Sequence, residues 1–137
     1  MNIVIIDGQG GRLGSLLCEE LKRTLPTLFL TAVGTNTLAT AAMLKAGADA
    51  GATGENPVLV AAREADLILG PLGIVTADAL LGEVTPAMAV AIGQSHAIKL
   101  LLPMNRCRAR VVGARSLPLG DLVKEACREV QEILEGK

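Results

Sequence analysis

The chain has almost no aromatic surface: one phenylalanine, Phe29, and neither tryptophan nor tyrosine in 137 residues. Platforms that stack single-stranded bases need several rings, so that class of partner is excluded, along with any mechanism that requires a phenolic hydroxyl. An excess of one charge is missing too, because 13 basic and 14 acidic side chains leave a net charge of −1. No strong field therefore draws the chain to nucleic acid or to an anionic membrane. Histidine occurs once, as His96, and the three cysteines, Cys18, Cys107 and Cys127, are far apart without CxxC spacing. Neither a metal site nor a disulfide framework is expected, and a reducing, cytoplasmic setting is. The opening Met-Asn-Ile-Val-Ile-Ile-Asp does not have the form of a secretory signal. The longest apolar region, residues 86–104, is interrupted by Gln94, His96 and Lys99 and bounded by prolines, so no membrane span is expected.

Glycine, at 15 residues, is abundant, and its placement punctuates one domain of alternating strands and helices. Residues 2–7, NIVIID, are a β-branched run that ends at a glycine cluster, the pattern of a strand buried on both faces. From Gly14 onward, Leu17, Cys18, Leu21 and Leu25 recur at helical spacing until Pro26. Residues 28–34 form a second strand, and Asn36 or Thr37 caps a helix that runs to Gly47. Residues 47–54, GADAGATG, read as a flexible turn. A short helix follows, with Asn56 as cap and Pro57 at its first position. Residues 66–70 are a third strand, and TADALLG (76–82) and TPAMAVAIGQS (85–95) are two helical stretches, the second opened by a Thr cap and Pro. Residues 97–103 give a fourth strand. Residues 108–114 give a fifth, too close to the fourth for a helical crossover and so antiparallel at an edge. The last helix is the most regular: Leu119, Leu122, Val123, Ala126, Cys127, Val130, Ile133 and Leu134 share one face, which makes Cys127 a core residue. The expected fold is an α/β, Rossmann-like three-layer sandwich with a mostly parallel sheet of about five strands.

The segment most suggestive of chemistry is Asp7-Gly8-Gln9-Gly10-Gly11-Arg12-Leu13-Gly14, between the first strand and the first helix. Gly8, Gly11 and Gly14 fit GxxGxxG, with Gly10 in addition. Glycine suits such a loop because backbone amides can then approach a phosphate without an intervening Cβ, and the helix can pack close to the strand. The helix N-terminus adds unpaired N–H groups, and Arg12 a full charge. The absence of Lys-Ser or Lys-Thr after the glycines argues against a triphosphate P-loop. The expected ligand is a nucleotide or other phosphate-bearing small molecule, held by residues 8–14. The alternative is a tight strand-to-helix turn that binds nothing.

From Met1 to Thr35 the spacing resembles the coenzyme loop of extended short-chain dehydrogenases, which implies NAD or NADP as the cofactor. That family's catalytic Tyr-Lys pair cannot be carried over, since tyrosine is absent. Dinucleotide binders often end the second strand in an acid that holds the adenine ribose. Here the strand ends Val33-Gly34-Thr35-Asn36, so Thr35 and Asn36 are the candidates for a ribose or a 2′-phosphate, or are simply helix-start residues. DGQGG, GTNTLAT, GATGEN, GPLGI and LPMNRC together resemble, over nearly the full length, a small bacterial family of unknown function with Rossmann-like character. That resemblance implies a fold and no activity.

Ligands of open parallel sheets lie outside the carboxyl ends of the strands. Gly70, Pro71 and Gly73 lie at such an end and are candidates to line a cofactor cleft. Asn105 and Cys107 follow the fourth strand and point to the same cleft, although Cys107 lacks a nearby base. Arg106, Arg108 and Arg110 share one face if their segment is a strand, giving a basic stripe that binds an anion or guards an edge. Asp7 orients the loop, Asp78 and Glu83 lack the spacing of an acid/base couple, and His96 lies on the far side from the cleft. Two functions compete. One is a nucleotide-binding protein, with a small oxidoreductase as one form of it, whose site a second subunit would complete. The other is a non-enzymatic sensor or assembly module built on the same scaffold. Apolar helices over 38–46 and 77–92 predict a homo-oligomer, most simply a dimer.

Overall fold

The computed structural model describes residues 1–104 and 108–136. Five strands form one sheet: β1 (Ile3–Asp7), β2 (Leu30–Gly34), β3 (Ala50–Thr53), β4 (Leu67–Pro71) and β5 (Ile98–Leu102). Their order is β3-β2-β1-β4-β5 and every pairing is parallel. This is the Rossmann-like α/β arrangement, and its strand order reverses between β1 and β4.

Two apolar layers explain why β1 and β4 read as unbroken apolar runs rather than alternating ones. On one face, Ile3, Ile5, Leu30, Leu67 and Leu69 pack with α1 (Arg12–Thr24), Met43 of α2 (Thr37–Lys45) and Val123, Cys127 and Val130 of α5 (Leu119–Leu134). On the other, Val4, Ile6, Val33 and Ile68 pack with Val58 and Ala62 of α3 (Glu55–Glu64) and Met88 and Ile92 of α4 (Pro86–Gln94). Cys18 and Cys127 are buried, and burial above all pushes both thiols up to about 12, so neither is poised as a nucleophile.

Several expectations need correction. The stretch 47–54 is not merely a turn, because it contains β3. Its sequence, AGAT, carries little strand propensity, and its place is set by tertiary packing. A Cβ at Gly51 would come within 2.9 Å of Leu44 Cδ1, so the bare backbone is what lets α2 lie on this edge. Residues 108–114 are not a strand, and no antiparallel edge forms among the described residues. Gly113 has φ +88° and the Ala114 N–H donates to the Val111 carbonyl, which turns the chain where the strand was expected. The Arg108–Arg110 stripe goes with it, and Asn105, Arg106 and Cys107 lie outside the described residues. Residues 76–82 are not helical either: Asp78, Leu80 and Leu81 all have positive φ, in a series of tight turns that follows a short 3-10 helix over Leu72–Val75. Helix α1 begins two positions before Gly14, and α3 is capped at Gly54 rather than Asn56. The Thr85 and Asn36 caps are present, accepting from the Met88 and Ala39 N–H groups.

Candidate functional site

The glycine loop leaves β1 and enters α1 at the point where the strand order reverses. Its tight form follows from its residues. Gly11, the N-cap of α1, has φ +70°, and a Cβ there would meet the Ala39 backbone at 2.8 Å. At Gly14 a Cβ would fall 2.5 Å from Met43 Sδ and 3.0 Å from Asp7 Cβ, so glycine sets the distance between α1, α2 and β1. Gly10 differs from both. It is exposed, and nothing lies within 4 Å of where its Cβ would be. Of these three glycines, two serve packing and one faces open space.

A glycine N-cap has no side chain to satisfy the first turn of a helix. Asp7 does so from the strand. Its Oδ2 accepts the Gly14 N–H at 2.7 Å and its Oδ1 accepts the Gly8 N–H at 2.8 Å. Burial pushes the Asp7 carboxyl above its ordinary range despite those two donors, and the charge of Glu83 pushes the same way. The N–H groups of Gly10, Arg12 and Leu13 have no acceptor among the described residues. These are the amides that a helix N-terminus offers to an anion.

A cavity of about 800 Å³ opens over the loop, within the roughly 300–1,000 Å³ typical of small-molecule sites. Its floor is Asp7 to Leu13, one wall is Pro71 at the end of β4 and Gly73 in the 3-10 helix that follows, and its roof is the turn segment from Thr76 to Leu81. Met104, Arg108 and Leu119 close the remaining side, so Arg12 and Arg108 both border it. A smaller groove of about 390 Å³ runs along β5 beside Ala114, Arg115 and Leu117. It has no loop amides, and Arg115 is turned to Glu125 at 3.4 Å.

The structure therefore brings Gly8, Gln9, Gly10, Gly11, Arg12, Leu13, Pro71 and Gly73 to one cavity. Gly14 and Gly70 lie beneath it as buried packing positions: a side chain at Gly70 would run into the Ile6 carbonyl. Thr35 and Asn36 are beside the loop but, like Glu83, do not line the cavity. Both are engaged by Glu83, whose Oε1 accepts from Thr35 Oγ1 at 2.7 Å, Asn36 Nδ2 at 2.8 Å and the Gln9 N–H at 2.8 Å. Burial alone would push the Glu83 carboxyl up, yet these three donors outweigh it and hold it below the usual range. Sequence spacing missed Glu83 because it lies 74 residues from Gln9. The available signal was the acid missing from the end of β2, combined with a strand order that returns the chain beside β1 after β4.

Residues 2–135 match the model of a domain of unknown function, DUF3842. The chain belongs to the DUF3842 family. No curated protein matches it. Among solved structures, this DUF3842 chain is similar to a dodecameric FMN-dependent UbiX-like decarboxylase from Escherichia coli O157:H7. The identity is 17% and the TM-score 0.44, over 96% of this chain and 76% of that one. Neither cofactor nor assembly is carried across at that level. No helix among the described residues is long and apolar enough to cross a membrane, and none of their His, Cys, Asp and Glu side chains gather in threes as metal ligands would.

Proposed function

We propose that this DUF3842 protein binds a nucleotide of the NAD(P) class, with its phosphates on the glycine loop. The observation that carries this reading is the coincidence of three features in one cavity: the unpaired amides of Gly10, Arg12 and Leu13, the open position at Gly10, and two cationic residues, Arg12 and Arg108, in the lining. A diphosphate would be met by backbone dipoles at its centre and by fixed charge at its edge. With so few rings in the sequence, an adenine would be held by aliphatic walls such as Leu80 and Leu81. The loop and Arg12 supply binding and orientation, and hydride chemistry would belong to the cofactor itself.

Isothermal titration against NAD and NADP, with FAD, ATP and S-adenosylmethionine for comparison, tests the reading; heat of binding from NAD or NADP is expected, and silence from both overturns it. The loop is tested by Gly10→Asp, which introduces bulk and a negative charge into the cavity with no clash. We expect binding to be lost with the unfolding temperature unchanged. Gly11→Asp would be a poor choice, since the Ala39 backbone blocks it and loss of the fold would imitate loss of the ligand.

Self-association belongs to the same proposal. Leu38 and Leu44 on α2 are exposed, an apolar surface that a second copy would cover; Val90 of α4 is exposed on the opposite face of the sheet. Light scattering should give a mass above 14.1 kDa, and a monomer at all concentrations would remove this part.

A further inference from the structure

Glu83 is held as a recognition group is held, with one oxygen fixed and the other open. Its Oε1 takes three hydrogen bonds, from the Gln9 N–H, Thr35 Oγ1 and Asn36 Nδ2. The orientation of Asn36 is itself determined: its Oδ1 caps α2 by accepting the Ala39 N–H at 2.8 Å, which leaves Nδ2 to face Glu83 and the Gln9 carbonyl. A Cβ at Gly8 would come 2.9 Å from Oε1, so the carboxylate rests directly against the first glycine of the loop. Oε2 has no partner among the described residues, and Glu83 is only half-buried. No Lys or Arg among the described residues pairs with it. An oriented, unneutralised acceptor thus lies between the glycine loop and the end of β2, where β2 itself provides only Thr35 and Asn36.

We infer that Glu83, which stands beside the cavity against Gln9 of its floor rather than in its lining, is the ribose-binding acid for a nucleotide whose phosphates lie on the loop, brought in from the segment after β4, and that it selects a nucleotide whose 2′-hydroxyl is free over one that is 2′-phosphorylated. The inference rests on the nucleotide reading above. A 2′-hydroxyl donates to the open oxygen of a carboxylate, and a charge-assisted bond of this kind is among the stronger neutral-ligand contacts. A 2′-phosphate has no proton to give at neutral pH and places like charge against Glu83, with no cation paired there to offset it. Thr35 and Asn36 act as positioning residues, through the carboxylate they hold.

Titration of the full-length protein with NAD and with NADP tests the assignment. We expect NAD to bind at least about tenfold more tightly than NADP, the scale of one charge-assisted hydrogen bond. Glu83→Gln should cut that preference several-fold while NADP affinity holds or rises. Thr35→Val removes one donor to Oε1 and leaves the acid in place, so it should weaken the NAD preference by less than Glu83→Gln does. Thermal unfolding of each variant separates a damaged fold from altered selectivity, because a structural role alone lowers both affinities together. Equal affinities in the parent, or a preference that survives Glu83→Gln, overturn the assignment of Glu83 and leave the nucleotide reading standing. If neither nucleotide binds, the nucleotide reading falls and this assignment falls with it.

Discussion

Asp7 and Glu83 both set a carboxylate against the glycine loop, one from beneath and one from the side, and they are held in opposite ways. Asp7 is 5% exposed, and each of its oxygens takes a backbone N–H from the loop it anchors. Glu83 is half-buried and concentrates three donors on one oxygen. The first arrangement gives each oxygen a partner from the fold. The second leaves one oxygen, Oε2, without a partner among the described residues. Their ionisation follows the same division: burial raises Asp7 in spite of its donors, while the donors of Glu83 prevail over burial and lower it. Similar chemistry at one loop thus gives one acid with a partner on each oxygen and one with an oxygen left open, the difference on which the proposed recognition role of Glu83 rests.

Removing each acid in turn is the most forceful way to break this contrast. Asp7→Ala leaves the buried N–H groups of Gly8 and Gly14 without acceptors, at about 1–3 kcal/mol for each unsatisfied donor. We expect a loss of about 3 kcal/mol in urea unfolding. Glu83→Ala should cost less than about 1 kcal/mol, because water reaches its three donors. Similar losses for the two variants would erase the distinction between them.

The part of the site that belongs to Asp7 was legible in the sequence, and the part that belongs to Glu83 was not. Asp7 and the loop are local: a β-branched run, a glycine cluster and an amphipathic helix follow one another within 24 residues, and short-range sterics determine their order. The same is true of the Thr85-Pro86 helix start and of α5 with its apolar stripe. What could not be read depends on contacts distant in the chain. β3 is recognisable only once α2 is known to rest on Gly51. The segment 76–82 has helix-forming residues such as Ala79, Leu80 and Leu81, yet two of these three take left-handed backbone angles. Its end is tied to the loop through Glu83, and its own turns are closed by bonds such as Asp78 N–H to the Val84 carbonyl at 2.7 Å. Local propensity gives way there to tertiary constraint. The basic cluster shows the converse error, since alternate arginines imply a stripe only if the backbone is a strand, and Gly113 turns it instead.

The subtlest difference between the two acids lies in how stability responds to pH, and it has opposite signs. A carboxyl whose pKa is lower in the folded chain adds stability that is present above its ordinary value and is lost as pH falls through the folded one. For Glu83 the loss begins near its ordinary 4.5 and runs downward. A carboxyl whose pKa is raised behaves in reverse: the folded chain takes up the proton first, so stability is gained as pH falls through the raised value toward 3.8, as for Asp7. Urea unfolding of the parent, Asp7→Asn and Glu83→Gln between pH 7 and pH 3 isolates each contribution as a difference from the parent. The parent's margin over Glu83→Gln should narrow on acidification. Its margin over Asp7→Asn should move the other way, because the protonated Asp7 no longer bears the desolvation cost of a buried charge. Two margins that change in parallel would mean that both acids are buried structural groups, and the open oxygen of Glu83 would lose its significance.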